Sequence, residues 1–304
     1  MNELAKAGAF LLTYWVWLFL ADLLGLSIIT YGATSGGGAL GMGGTTPRFN
    51  EIADLYFNNY WTVQGWAALL FFLFNFGLIV GRQAHWPELS RRNLLNRFFP
   101  LVLKTVMASV VWVMLTLWLT PSQFLGSGFP VEESFWSGFN CLVRGVAWLG
   151  WAVGEEWVFR KALLERVQKA IPQRFLAILI VTALWVLTRS WHQHLGMNQT
   201  LTLILAGLAL GLHASHGGSY LQGAALLGGT TLAFQVLFSL PVLGHEFTGF
   251  WIIKYRSDSL PSLSNHLLHL VSGGAGGPFS SSVLQLGMIG WLVANSVGRP
   301  ARRG

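Results

Sequence analysis

Glu155-Glu156-Trp157-Val158-Phe159-Arg160 interrupts an apolar run that extends from Ser134 to Leu164. Two adjacent carboxylates and a guanidinium are costly in hydrocarbon. Within a bilayer such groups face a bundle interior and mark a functional site. The remaining composition puts the run in a membrane. Of 304 residues, 53% are hydrophobic, 14% aromatic and 10% charged, with a mean hydropathy of +0.52. A soluble domain carries about 25% charged residues. The fold class read from this is all-α: a polytopic transmembrane helical bundle, with residues 1–304 as a single integral membrane domain.

A helix that crosses a bilayer needs roughly 20 apolar residues. About eight stretches qualify: Gly8–Thr30, Trp61–Gly81, Leu101–Leu119, Ser134–Leu164, Phe175–Ser190, Thr200–Leu212, Tyr220–Leu240 and Ser282–Val297. The sixth is the shortest. The first is too long and uninterrupted for a cleavable signal. Lys and Arg set the orientation. With the N-terminus cytoplasmic, the inner segments hold Lys6; Arg82, Arg91, Arg92, Arg97 and Lys104; Lys161, Arg166, Lys169 and Arg174; and Arg299, Arg302 and Arg303. The outer segments hold Arg48, Lys254 and Arg256, with Arg189 at a helix end. This asymmetry predicts both termini on the cytoplasmic side. It also accounts for the net charge of +7 without a nucleic-acid partner, because the cations sit in short loops between apolar runs. The lone cysteine, Cys141, excludes an internal disulfide.

Two outer segments are long. Gly36-Gly37-Gly38-Ala39-Leu40-Gly41 fits GxGxxG in letters only: no buried strand precedes it and no βαβ unit follows, so it reads as loop. Residues 241–280 read as an irregular outside segment with linker composition near Gly273–Gly277, and Leu263–Leu270 reads as a short interfacial helix.

On a helix each residue turns by about 100°. Glu156 and Arg160, four apart, share a face and can pair. Glu155 points away from that pair, which leaves one carboxylate that can act as a general base on water. The competing reading is an ionic clasp between helices. Ile171-Pro172-Gln173 is a natural turn. Glu155 lies 17 residues before Pro172 and Arg189 lies 17 after it. In an antiparallel hairpin the two reach the same depth, so Arg189 is expected to face the carboxylates.

Glu-Glu-x-x-x-Arg, then a basic turn and an apolar helix, resembles the type II CAAX prenyl endopeptidase and bacteriocin-processing (CPBP, Abi) family of intramembrane proteases. The resemblance is closest over Trp151–Arg189 and extends to about Leu240, giving a family-like core over residues 130–240. It implies that Glu155 activates water and that Arg160 orients the carboxylates. The family's second motif, Phe-x-x-x-His, falls on Trp185 and Arg189. Its third, a histidine followed four residues on by Asn or Asp in a helix opened by Gly-Ser, falls on Leu227 and Thr231 after Gly218-Ser219. Both histidines are thus replaced. Arginine cannot accept a proton, so Arg189 is expected to pair with Glu155. Losing one oxyanion donor costs about 100- to 1,000-fold.

Other polar residues read more plainly. His192 and His194 fall at the outer helix end. His213 and His216 share a face at the inner end of the sixth span and read as a cap rather than as metal ligands. His266 and His269 lie in the outside segment. His245-Glu246 lacks the second histidine of a zinc-protease motif. No metal set is read, and the sequence leaves any cofactor open, a pigment or haem ligand included. Asp22 is open between helix contact and function, and Lys104 snorkels. Trp148, Trp151, Trp157 and Trp185 line the expected site. Two functions follow. One is an intramembrane endopeptidase with Glu155 as base. The other is a family member without proteolysis, acting as membrane scaffold, assembly factor or subunit of a larger membrane complex. The expected partners are membrane lipids and a membrane-protein or peptide substrate or partner. The sequence does not say which membrane holds the chain.

Overall fold

The computed structural model describes residues 2–35, 62–75, 94–119, 122–127, 134–190, 195–240, 251–255, 270–273 and 277–297. The glycine run 36–41, His192, His194, His245, His266, His269 and nearly all of 263–270 lie outside the described residues.

The described chain is helical apart from one β-ribbon. Helix α1 is Glu3–Ser35, α2 is Thr62–Asn75, and α3 is Phe99–Leu119, preceded by a π turn at Leu94–Phe98. Helix α4, Ser134–Glu155, runs through a π segment, Glu156–Leu163, into α5, Leu164–Ala170. Then follow α6 (Arg174–Ser190), α7 (Met197–Ser215), α8 (Tyr220–Thr231) with a π segment at Leu232–Leu237, and α9 (Ser282–Val297). Every segment read as an apolar span contains a helix. Among the described residues three stretches are long and apolar enough to cross a membrane: Glu3–Ile28, Leu95–Trp118 and Met197–Ser215. Helix α2 falls outside that group because it is short, and α4 carries the polar Asn140, Arg144 and Glu155.

Packing follows the residue pattern. Helix α1 buries Ala7, Leu11, Tyr14 and Asp22 at helical spacing and exposes Leu12, Val16, Phe19, Leu20, Leu23 and Leu24. Only 17% of its apolar window is buried within the protein, and 22% of that in Leu95–Trp118. Apolar faces so exposed suit a lipid solvent, where each backbone group is satisfied within its own helix. The buried side of α1 meets an aromatic cluster of Phe71 and Phe72 from α2 and Trp157 and Phe159 from the π segment.

Small residues bring α2 against α4. A Cβ on Gly154 would lie 2.5 Å from the carbonyl oxygen of Ala68, and one on Gly150 would lie 2.8 Å from Leu69 Cβ. Only glycine lets the backbones approach so closely. The contact is one residue from Glu155 and so sets its height. Asp22 accepts a hydrogen bond from Gln64 Nε2, and both are buried. Its contact is therefore between α1 and α2.

The ribbon pairs β1 (Ser122–Ser127) antiparallel with β2 (Trp251–Tyr255), with a bulge between Phe124 and Gly126. Strand β2 lies within 241–280, the segment read as irregular. Ser239, at φ 52°, donates from Oγ to the Trp251 carbonyl and ties the end of α8's π segment to the ribbon.

Candidate functional site

The charged cluster sits where α4 widens. Its first helical segment ends at Glu155, and Glu156–Leu163 form a π segment whose Glu156, Trp157, Val158, Phe159, Arg160 and Leu163 are all buried. Single π turns inside α-helices occur often at functional sites. Opposite lies α6, which presents Thr182, Trp185 and Arg189 from one face, all buried.

The hairpin brings Glu155 and Arg189 together. Arg189 Nη2 lies 2.7 Å from Glu155 Oε2, and Arg189 Nε donates to the same oxygen at 3.1 Å. Trp185 Nε1 donates to it at 2.7 Å. Three nitrogens thus converge on one carboxylate oxygen. The Arg189 guanidinium also lies over the Trp151 ring, 3.6 Å from its centroid. A desolvated cation on an indole face gains about 2 kcal/mol or more, so Trp151 and Trp185 fix the arginine and the carboxylate from two sides.

Glu156 and Arg160 share a face as their spacing predicts, but they touch loosely. Arg160 Nε is 3.7 Å from Glu156 Oε1, and neither that oxygen nor any guanidinium nitrogen of Arg160 makes a hydrogen bond. Arg160 rests instead over the Trp185 ring at 4.8 Å. The division of labour expected from the sequence is shifted. The carboxylate oxygen crowded with donors belongs to Glu155, and the one without a hydrogen bond belongs to Glu156.

Helix α8 closes the site. Gly223 faces Glu156, whose Oε2 occupies the space a Cβ would fill. Leu227 is buried, and Thr231 Oγ1 is spent on the Leu227 carbonyl at 2.8 Å. His213 bonds Gln222 Oε1 at 2.9 Å, and His216 Nδ1 bonds the Leu212 carbonyl at 2.8 Å. Both histidines therefore serve the junction of α7 and α8, where Ser219 Oγ caps Leu221 N. Among the described residues no three His, Cys, Asp or Glu side chains group as metal ligands.

Residues 131–231 match the family model of the type II CAAX prenyl endopeptidase Rce1-like proteins. They form an Rce1-like domain. The match covers about a third of the chain and contains every charged residue of the cluster. No curated protein and no solved structure matches the chain significantly. The Rce1-like domain is packed on one side by α1 and α2, which lie outside the match. Trp15 Nε1 of α1 donates to Thr188 Oγ1 at 2.9 Å, one residue from Arg189.

Two features of the site go beyond the sequence reading. The donor role of Trp185 was legible in part, since it stands four residues before Arg189 on the same helix face. The close approach of Gly223 had no sequence signal, because nothing local says which glycine meets a carboxylate.

Proposed function

We propose that this chain is a multi-pass membrane protein in which the Rce1-like domain holds a fixed ionic core and serves a membrane partner instead of hydrolysing it. In this reading it acts as scaffold, assembly factor or complex subunit. The arrangement has eight spans, one for each helical segment, with both termini cytoplasmic. The observation that carries the proposal is the convergence of Trp185 and Arg189 on Glu155 Oε2. A base that activates water needs an accessible lone pair, and the oxyanion that forms needs donors aimed at it. Here the donors are aimed at the base. Arg189 cannot take up a proton, and the Leu227 side chain has no polar atom. A buried ion pair kept for packing specificity is compatible with this role.

The endopeptidase reading, with Glu155 as base, Glu156 and Arg160 beside it and Arg189 at the family's histidine position, draws its support from the family match. The test is proteolysis of a mixed membrane proteome by purified wild type and by Glu155→Ala. Identical peptide profiles are expected. Cleavage that disappears in the variant would replace the scaffold reading with the endopeptidase one. A triple variant, W185F/R189H/L227H, restores the family's pattern at those three positions. It tests whether the lock is what silences the domain: cleavage gained there and absent in wild type supports the proposal.

A further inference from the structure

The geometry points to an anionic phospholipid site at the end of the bundle where α1 begins, α5 ends and α6 starts. Three cations gather there around one carboxylate. Lys6 Nζ lies 2.6 Å from Glu3 Oε1, and Arg166 and Lys169 are within electrostatic reach of the same carboxylate. The Arg166 guanidinium sits over the Phe10 ring at 4.7 Å, which fixes it at the seam of α1 and α5, and Nη1 donates to the Ala162 carbonyl at 3.1 Å. Arg174 follows across the three-residue turn 171–173. The neighbouring Lys161 is neutralised by Glu165 at 2.8 Å. Among the described residues neither Lys169 nor Arg174 forms a close ion pair.

Charge alone would suit any anion. The apolar surround selects a lipid. Leu4 stands exposed beside the Glu3–Lys6 pair, and Phe175 and Leu176 stand exposed directly after Arg174. A soluble acidic protein or inorganic phosphate would neutralise the cations and leave these side chains in water. A phosphodiester headgroup with an acyl chain covers both. Basic pockets between helix ends bind anionic headgroups in this way, and each cation near the surface contributes about a fivefold gain.

Native mass spectrometry of the full chain in mild detergent, titrated with phosphatidylglycerol or phosphatidylcholine, tests the site. Phosphatidylglycerol is expected to bind preferentially. Lys169→Gln should weaken it about fivefold and K169Q/R174Q about 25-fold, with phosphatidylcholine unchanged. Lys169→Arg should retain binding, and circular dichroism should report native helicity in each variant. Equal affinity for the two lipids in wild type, or an unchanged preference in the double variant, overturns the site. Displacement of the lipid by inorganic phosphate at about a hundredfold excess would also overturn it, in favour of a soluble-anion site.

Discussion

Glu155 lies within 3.1 Å of three nitrogens, and removing any one of their owners changes what a buried carboxylate must bear. Breaking a buried pair by deleting one partner costs about 3–5 kcal/mol, whereas replacing both with apolar groups is often close to neutral. Arg189→Leu is therefore expected to destabilise the protein by about 3–5 kcal/mol, and E155L/R189L by far less, as read by unfolding in detergent. Additive costs would mean that the two side chains are not coupled. Gly223 is the second sensitive position. Alanine there puts a methyl group on Glu156 Oε2, and overpacking of this kind costs about 1–3 kcal/mol. A Gly223→Ala variant with wild-type stability would mean that Glu156 has room to turn aside.

At the scale of elements, the bundle depends on how closely α2 meets α4. Gly154 and Gly138 lie on the same helix, yet the first faces the Ala68 carbonyl and the second has nothing within 4 Å of its would-be Cβ. Gly154→Ala is expected to lower the melting temperature, at a cost of about 1–3 kcal/mol. Gly138→Ala is expected to raise it, by about 0.5–1 kcal/mol, because alanine loses less backbone freedom in a helix. The opposite signs are the measurement. The helices were legible because their apolar runs are long, and the hairpin of α4–α5 and α6 because Pro172 marks its turn and the residue count on each side is equal. The π segment was not legible. It keeps Glu156 and Arg160 on one face while widening the helix, and nothing in the spacing of apolar residues separates that from an ordinary helix.

For the whole molecule, the fold and the proposed eight-span arrangement each make a statement that labelling can read. Cys141 is the only cysteine and is 1% exposed, so a maleimide should leave the folded protein unmodified and react once it is unfolded, since reactivity needs access as well as thiolate. In a Cys141→Ala background, single cysteines placed at Lys6 and at Arg303 should be labelled from the same side of sealed vesicles. Labelling from opposite sides would require an odd number of spans.

The sequence by itself determined the solvent of this protein, the positions of its helices, the carboxylate–arginine signature of its Rce1-like domain and the depth at which Arg189 meets Glu155. These follow from composition, periodicity and residue counts along a rigid helix. Only the tertiary structure decided which carboxylate is held. Arg160 had the sequence spacing to neutralise Glu156, but hydrogen bonding depends on side-chain direction and on what neighbouring helices present. Trp185 and Arg189 reach Glu155 from α6, Trp151 fixes the arginine from α4, and Gly223 makes room for Glu156 from α8. Those three helices meet only in the folded bundle.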